Sequence, residues 1–373
     1  MDPGWLVFPG LVIWSGILIL PWRPWSTREA LEAGRPAGEA DLSDVTVLIP
    51  ARNEVECING TLEALGAQGA GLRTIMIDDH SGDGTLAAAQ RTTLPNLNII
   101  KSEALPQGWS GKLWALEQGR RIAATPYLLL LDADIQLVPG TIAALRDKLK
   151  LEGLQMVSLM AHLRMASFWE KLLMPAFIFF FKLLYPFRIS NSDSKFTAAA
   201  AGGCILIDAD SLAEIEGFSA IRNELIDDCA LARRIKNKGK RTWIGLTHSA
   251  ISRRKYNDLQ SIWKMVARTA YTQLNYSVIL LAVCTLALLC AFVFPVISLF
   301  GTGPFVVLSF VTLALMSAGY IPTLKFYGLG VYWTLFLPII GIMYLLMTWD
   351  SAIGHWRGKG AEWKDRTYTG CSA

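Results

Sequence analysis

Hydrophobic residues fall into apolar blocks near the two ends of the chain, with an alternating pattern between them. Residues 5–22 are almost wholly apolar, and the first charge after them is Arg23. A helix of that length is about 27 Å long, close to the roughly 30 Å hydrocarbon core of a bilayer. No basic segment precedes this run and no small-x-small cleavage site follows it, which disfavours a signal peptide. The pattern therefore predicts an N-terminal transmembrane helix at 3–22.

Three more apolar runs predict C-terminal transmembrane helices within 276–350. The runs cover 278–299, 305–321 and 331–349, and a basic tail follows at 351–373. If the preceding residues are cytosolic, three full crossings place this tail outside, against the tendency of basic segments to stay inside. Either one run re-enters the membrane or the charge bias is overridden, and the sequence leaves both open.

Between the apolar blocks, the pattern changes to alternating strands and helices. Residues 23–44 are polar and contain several Gly and Pro residues, which predicts a linker. The α/β domain is expected at 45–275, because strand–helix alternation is typical of a mostly parallel sheet covered by helices. Ligands bind such sheets at the carboxyl ends of the strands. The predicted strands are 45–49, 74–77, 97–100 and 127–131, and the predicted helices are 55–65, 85–91, 112–123 and 140–150.

One stretch inside this domain breaks the alternation. Residues 168–187 are strongly apolar and aromatic, but Pro175 and three charged residues interrupt them. These interruptions disfavour a membrane crossing. We predict an interfacial segment at 166–188, lying on the bilayer, in preference to a buried core helix.

Composition narrows the class of protein. Of 373 residues, 52% are hydrophobic and only 18% charged, which is not the composition of a purely soluble globule. The net charge is +4 and the Lys and Arg residues are dispersed, so we expect no nucleic-acid partner; a membrane surface or a phosphate-bearing substrate explains them better. The six cysteines form no CxxC pair, which argues against a disulfide framework or a zinc site and favours a cytosol-facing protein.

Charged residues follow the first two predicted strands directly. The first cluster is PARNE at 50–54, and the second is DDHSGDGT at 78–85. Carboxylates at a strand end can accept hydrogen bonds from a nucleotide base and its ribose. The plainer interpretation is that polar residues of these loops cap the following helices, and the two interpretations are compatible. The candidate nucleotide contacts are Pro50, Arg52, Glu54, Asp78 and Asp79.

Asp132 and Asp134 follow a run of four leucines. Two carboxylates at the end of so apolar a strand are costly to bury unless a cation lies beside them. Mg²⁺ or Mn²⁺ binds one or two carboxylates together with the oxygens of a substrate diphosphate, so this pair predicts a divalent-metal site that also contacts such a diphosphate. Lys112 ends the loop PQGWSGK at a helix start and is a candidate diphosphate contact, although the P-loop spacing is absent.

A second group of candidates lies on the acceptor side. Gly202 and Gly203 precede a predicted strand, where missing side chains let a substrate approach the backbone. Asp227 and Asp228 begin a helix, and stabilisation by the helix dipole is the plain interpretation. The sharper hypothesis makes Asp228 a general base that takes a proton from the acceptor hydroxyl.

Arg254 and Arg268 complete the acceptor-side candidates. Either arginine has the chemistry to contact a diphosphate or a lipid head group. Plain membrane-surface charge is an equal alternative for both.

The order of these motifs, from Val45 to Gln273, resembles the family-two glycosyltransferases of the GT-A fold. The resemblance implies that Asp78 or Asp79 contacts the base and that Asp132 and Asp134 hold nucleotide and metal. It also implies that Asp228 is the catalytic base. Two features depart from the family pattern: IDD at 226–228 replaces TED, and the QxxRW signature is absent, with WKMVAR at 263–268 in its place.

The N-terminal apolar run, the PQGWSGK loop, MVARTAYTQL at 265–274 and the WRGKG tail resemble hopanoid-biosynthesis-associated glycosyltransferases and the related ceramide and carotenoid glucosyltransferases. This resemblance implies an inverting, metal-dependent hexosyltransferase that uses a nucleotide-diphosphate sugar, with a UDP-sugar expected, and a membrane lipid acceptor. It implies an integral protein of the inner membrane whose catalytic domain faces the cytosol. The alternatives are a polyprenyl-phosphate glycosyltransferase and a catalytically silent membrane scaffold of the same fold.

Overall fold

The computed structural model describes residues 2–34, 40–358, 361–363 and 366–368. The chain forms two compact units. The α/β unit contains Glu29–Arg164 and Phe187–Lys255, and the helical unit contains the residues up to Arg28, Met165–Pro186, and those from Tyr256 onwards. The α/β unit therefore begins and ends earlier in the sequence than the predicted domain at 45–275.

The helices and strands are numbered here in chain order. The helices are α1 (Val7–Ile19), α2 (Ile58–Gly66), α3 (Thr85–Gln90), α4 (Gly111–Ile122), α5 (Thr141–Leu151), α6 (Phe168–Leu184), α7 (Phe187–Ser190), α8 (Ala209–Ala213), α9 (Asp227–Asn237), α10 (Leu259–Ala267), α11 (Val278–Leu288), α12 (Phe294–Ile297), α13 (Pro304–Phe326) and α14 (Leu337–Trp356). The strands are β1 (Val45–Ala51), β2 (Arg73–Asp78), β3 (Leu97–Lys101), β4 (Tyr127–Leu131), β5 (Ile135–Leu137), β6 (Met156–His162), β7 (Cys204–Asp208), β8 (Thr242–Ser252), β9 (Ala361–Trp363) and β10 (Arg366–Tyr368).

The α/β unit is built on an eight-stranded mixed sheet in the order β3-β2-β1-β4-β7-β6-β8-β5. Strands β3, β2, β1 and β4 are parallel, as are β6 and β8. Strand β7 is antiparallel to both of its neighbours, and β5 is antiparallel to β8. The prediction of an α/β domain with a mostly parallel sheet is confirmed, and the four predicted strands are β1 to β4.

Apolar side chains cover both faces of the sheet. Along β4, Leu129 and Leu131 belong to one core, while Leu128 and Leu130 belong to the core on the other face. This follows from the alternation of side chains along a strand. Each fully buried leucine contributes about 1.5–3 kcal/mol, so these cores hold the carboxyl ends of the central strands in place.

The predicted linker at 23–44 is ordered where the structure describes it. The backbone N–H of Leu31 donates to the carbonyl of Leu246 in β8 (3.0 Å), and the N–H of Leu246 donates to Glu29 (2.8 Å). The N–H of Leu42 donates to Ala70 (2.7 Å). Much of the segment is thus fastened to the sheet unit, because its backbone groups pair there; residues 35–39 lie outside the described residues.

Helix α6 occupies the stretch predicted to be interfacial. Its N-terminus has a capping box formed by Ser167 and Glu170. Nine of its 17 residues are buried within the helical unit, and the hydroxyl of Tyr344 donates to the carbonyl of Leu173 (2.8 Å). The burial of these nine residues supports the alternative of a buried core helix. Phe168 and Leu184, at the two ends of α6, are exposed.

Three stretches of the helical unit are long and apolar enough to cross a membrane: Val278–Phe300, Pro304–Phe326 and Val331–Trp356. A shorter apolar helix covers Pro3–Ile19. The first long stretch contains a π-helical turn just before Pro295, whose missing N–H interrupts regular α-helical bonding. Helix α14 continues to Trp356, so the tail begins later than the predicted residue 351.

Helix α13 runs back along the stretch Val278–Phe300. The Asp2 carboxylate, before α1, accepts a hydrogen bond from Thr302 Oγ1 (2.5 Å), in the turn before α13. Phe8 then packs on Phe305, with ring centroids 6.1 Å apart. Helices α1 and α13 therefore start at the same end of the helical unit, and α13 ends at the end where α11 begins.

Helix α14 also runs opposite to α11. Its Trp349 Nε1 donates to Thr285 Oγ1 (3.0 Å), and its His355 stacks on Tyr276, just before α11, at 4.3 Å. The end of α14 therefore lies beside the start of α11. Because α13 ends at that same end, α13 and α14 point in the same direction.

Candidate functional site

Strand β2 ends at Asp78 and is followed by Asp79, and both of these residues are buried. Asp78 and Asp79 are 3% and 2% exposed. Among the described residues, Asp78 Oδ1 has no hydrogen-bond partner, while Asp78 Oδ2 accepts a long bond from the N–H of Ser81 (3.4 Å). A buried carboxylate oxygen without a donor is costly, so Asp78 is suited to accept a hydrogen bond from a ligand.

The loops after β1 and β2 brace one another. Arg52 Nη1 donates to the carbonyl of Asp79 (2.6 Å), so the guanidinium predicted to contact a nucleotide holds the neighbouring loop. Asp83 accepts from the N–H groups of Thr85 (2.9 Å) and Val55 (3.1 Å), which supports the capping interpretation for this acid. The capping interpretation thus suits Asp83, and the nucleotide contacts of Asp78 and Asp79 stay a prediction.

Asp132 and Asp134, the two acids of the DAD motif at 132–134, lie in the loop between β4 and β5. They contact different cationic side chains. Asp132 Oδ1 lies 2.8 Å from Lys112 Nζ, at the start of α4. Asp134 Oδ2 accepts from Ser252 Oγ (2.8 Å), and its Oδ1 lies 3.3 Å from Arg254 Nη2. Both acids therefore have a positive partner in the protein itself.

Arg254 was predicted on the acceptor side, but it contacts residues predicted for the donor side. Its Nη2 lies 2.6 Å from Glu54 Oε1 as well as 3.3 Å from Asp134. The side chain thus connects the end of β8 with the loops after β1 and β4. Arg268 caps the C-terminus of α10 in the helical unit and is not part of this cluster in the α/β unit.

Asp228 is held by two backbone donors. The N–H of Gly202 donates to its Oδ2 (2.8 Å), and the N–H of Cys229 donates to its Oδ1 (2.7 Å). A Cβ atom on Gly202 would lie 3.3 Å from that carboxylate and 3.3 Å from Lys112 Nζ, so a larger residue would crowd both groups. Gly203 packs against Ile135 instead.

Burial and neighbouring charges set the proton affinities here. Burial raises the pKa of the Asp228 carboxyl to about 6, and the Asp227 carboxylate adds to the rise. Burial also raises the pKa of Asp132; Lys112 opposes this, while Asp134 adds to it. For Lys112, burial favours the neutral form, but Asp132 and Asp227 outweigh it and raise the pKa of the ammonium.

A pocket brings these groups together above an apolar floor. It joins Pro50, Lys112, Asp132 and Gly202 with the acids at the start of α9. The apolar floor explains the raised pKa of Asp228, because it excludes water from the carboxylate. The apolar lining residues are Leu113, Leu116, Leu130, Leu131, Ile205, Phe218, Ile221 and Leu231.

Sequence reasoning missed Ser252 as a partner of Asp134. The signal available was its position at the end of an apolar run and two residues before Arg254. His248 lies inside β8, and its Nδ1 contacts Glu32 (2.8 Å).

The residues present fit a divalent cation that takes part of its ligands from a substrate. In the described part of the chain, no three His, Cys, Asp or Glu side chains form a metal-binding group. Asp132 and Asp134 are close enough that the charge of Asp134 raises the pKa of Asp132. A cation would relieve that repulsion, and Mg²⁺ or Mn²⁺ requires only one or two carboxylates when a diphosphate supplies the other oxygens.

Comparison with known sequences finds similarity over part of the chain. Residues 46–216 match the family model described as glycosyl transferase family 2. A 4,4'-diaponeurosporenoate glycosyltransferase of Staphylococcus haemolyticus is 27% identical over 128 residues. That match covers 34% of this chain and about a third of the relative (32%).

Similar solved structures exist as well. Glucosyl-3-phosphoglycerate synthase from Mycobacterium tuberculosis has a TM-score of 0.43 at 15% identity, covering 66% of this chain and 86% of that one. The mannosyltransferase PcManGT from Pyrobaculum calidifontis, in complex with GDP-Man and Mn²⁺, has a TM-score of 0.59 at 17% identity, covering 93% of this chain and 99% of that one. The likeness to PcManGT shows that the mixed, mostly parallel sheet is GT-A-like, as predicted.

Proposed function

We propose that this chain, whose residues 46–216 are a family 2 glycosyltransferase domain, moves a sugar from a nucleotide-diphosphate sugar to a hydroxyl of a membrane lipid. The observation that carries the proposal is the Asp228 carboxylate. Two backbone N–H groups fix its orientation, and burial raises its pKa to about 6, close to the pH at which a general base works best.

The proposed chemistry is a single displacement with inversion. Asp228 takes the proton of the acceptor hydroxyl, whose oxygen bonds to the anomeric carbon of the donor. The bond from that carbon to the diphosphate oxygen breaks, and the nucleoside diphosphate leaves with the electron pair. One base is sufficient, because no covalent sugar–enzyme intermediate is formed.

The donor would lie across the carboxyl ends of β1, β2 and β4. Asp78 and Asp79 are the proposed acceptors for the base and ribose of a UDP-sugar. The ammonium of Lys112, whose raised pKa keeps it charged, faces the proposed diphosphate position. The Pyrobaculum mannosyltransferase of similar fold was solved with GDP-Man, which is also a nucleotide-diphosphate sugar.

Asp132 and Asp134 would hold Mg²⁺ or Mn²⁺. When bound, such an ion supplies positive charge that offsets the charge developing on the departing diphosphate. Lys112 acts on the same leaving group. Loss of Asp132 or Asp134 removes a ligand of the ion, so we expect it to weaken both donor binding and turnover.

A lipid acceptor is supported by the helical unit. Apolar side chains such as Ile279 (76% exposed) and Val307 (64% exposed) lie on helices long enough to span a bilayer. Such surfaces are costly in water and stable in hydrocarbon. We therefore propose an integral protein of the inner membrane with a cytosolic catalytic unit and a hopanoid-type acceptor. The Staphylococcus relative is, by its name, a glycosyltransferase of 4,4'-diaponeurosporenoate.

The polyprenyl-phosphate alternative requires a basic cluster for the acceptor phosphate. Arg254 has the charge to contribute to such a cluster, but it contacts Glu54 and Asp134. A hydroxyl acceptor is therefore preferred. The silent-scaffold alternative gives no reason for a half-buried carboxylate at Asp228 beside the Lys112–Asp132 pair.

Donor turnover in nanodiscs tests the proposal. Purified protein receives a panel of nucleotide sugars, with and without Mn²⁺, together with a bacterial lipid extract. We expect one donor to be consumed only with metal, a glycolipid to appear, and Asp134→Ala to lose donor binding. Asp210→Asn, an exposed acid outside the site, is the matched control. If no nucleotide sugar binds under any condition, the enzyme hypothesis fails.

A further inference from the structure

Arg254 occupies a position where a positive charge is needed before any ligand arrives. Its Nη2 lies 2.6 Å from Glu54 Oε1 and 3.3 Å from Asp134 Oδ1. The side chains of Glu54 and Asp134 are only 11% and 9% exposed, against 33% for Arg254. Two carboxylates buried this deeply are costly without a cation, and in this structure the guanidinium supplies it.

The backbone around Arg254 is fixed, whereas its side chain can move. Ser252 Oγ donates to Asp134 Oδ2 (2.8 Å), and the N–H of Arg253 donates to the carbonyl of Asp134 (2.8 Å). These bonds attach residues 252–253 to the DAD loop. The guanidinium lies at the end of a long, partly exposed side chain, so it can leave Asp134 without disturbing the strand.

A divalent ion and the guanidinium cannot share Asp134 without strong repulsion, because both are positive and would approach the same carboxylate. A nucleotide diphosphate changes this balance. It brings negative oxygens for the ion, and a planar guanidinium pairs well with phosphate oxygens.

We infer that Arg254 is a resident counter-cation of the metal site. It neutralises Glu54 and Asp134 in the ligand-free protein and gives up Asp134 to the divalent ion when the nucleotide diphosphate binds. Metal and nucleotide then bind cooperatively, and metal alone binds weakly. The inference rests on the proposed function and adds an order of binding to it.

Mn²⁺ binding, followed by electron paramagnetic resonance on the full chain in detergent, tests this inference. The affinity for Mn²⁺ is measured alone and with UDP, in the wild type, Arg254→Gln and Arg254→Lys. Coupling between two ligands is typically about 5–150-fold, and we expect Arg254→Gln to bind Mn²⁺ alone about tenfold more tightly than the wild type. We expect UDP to enhance Mn²⁺ binding less in that variant, and Arg254→Lys to resemble the wild type.

Arg253→Gln is the matched control, because the neighbouring Arg253 contacts the neutral side chain of Gln136 and its loss should leave Mn²⁺ affinity unchanged. Damage to the fold would weaken metal binding, so tighter binding in Arg254→Gln is specific to the proposed competition. Unchanged or weaker Mn²⁺ binding in Arg254→Gln, with normal UDP enhancement in the wild type, overturns the inference alone. Absence of Mn²⁺ binding in the wild type even with UDP overturns the proposed function as well.

Discussion

At the scale of single residues, the site depends on whether the Asp228 carboxyl is protonated. Its carboxyl lies against an apolar floor and beside Asp227, and both favour the protonated form. Two backbone N–H groups and Lys112 favour the charged form. As a result, the carboxyl changes from its protonated to its charged form at about pH 6.

This balance predicts the pH dependence of turnover. Because the pKa of Asp228 is raised to about 6, the base is deprotonated above that pH and lost below it. We expect kcat/KM to be level above pH 6 and to fall about tenfold per unit below it. Lys112→Met removes a charge that opposes the rise, so its acid limb should lie at higher pH. Lys195→Met, an exposed lysine, is the control; an acid limb near pH 4 would contradict the assignment.

Sequence reasoning singled out several residues of this cluster, and their roles stay predictions. The acids at 132, 134 and 228 were predicted because each follows or begins a recognisable element. The contact of Arg254 with Glu54 was not predicted, because the two residues are 200 positions apart in sequence. Such a pairing depends on how β8 is placed in the sheet, which local patterns do not encode.

At the scale of elements, local patterns predicted β1 to β4 and helices α2 to α5 within a few residues. Their runs of β-branched or leucine residues and their polar boundaries are strong local signals. The pairing of β6 with β8, and the antiparallel placement of β7, were not predicted. These pairings join strands far apart in the chain, so they follow from tertiary packing.

Helix α6 depends on one buried acid at its start. The carboxylate of Glu170 is fully buried and accepts from the N–H groups of Ala166 (2.9 Å), Ser167 (2.9 Å) and Tyr256 (3.0 Å). Glu170→Ala leaves these donors without that acceptor, and we expect a loss of roughly 3 kcal/mol in chemical unfolding of the detergent-solubilised protein.

Two variants calibrate this measurement. Glu170→Gln keeps one acceptor oxygen and should lose less, and Lys171→Ala, one residue further on, should change stability by about 0.5 kcal/mol or less. Equal losses in Glu170→Ala and Lys171→Ala would show that the capping bonds do not stabilise the helix.

At the scale of the whole molecule, the directions of the helices bear on the topology that the sequence left open. Helices α13 and α14 both end where α11 begins. If these helices span a bilayer, the stretch Val331–Trp356 enters from one side and returns to it, which keeps Arg357 on the side where α11 begins. If that side is the cytosol, as proposed, the arrangement agrees with the positive-inside tendency.

Cysteine accessibility tests this topology. In a cysteine-free background, we expect Arg357→Cys and Lys264→Cys to react with a membrane-impermeant maleimide from the same side, and Thr302→Cys from the opposite side. Labelling is compared in intact cells and inverted vesicles. Labelling of Arg357→Cys and Thr302→Cys from one side would show that the third stretch crosses completely.

The central claim is that Asp228 is the base of a sugar transfer to a lipid. The measurement that tests it most directly compares donor binding with glycolipid formation in the wild type and Asp228→Asn, at pH 7.5 with Mn²⁺. The account predicts donor affinity within about twofold of the wild type and a transfer rate lower by about 10²–10⁴. A variant that transfers sugar at the wild-type rate would contradict it.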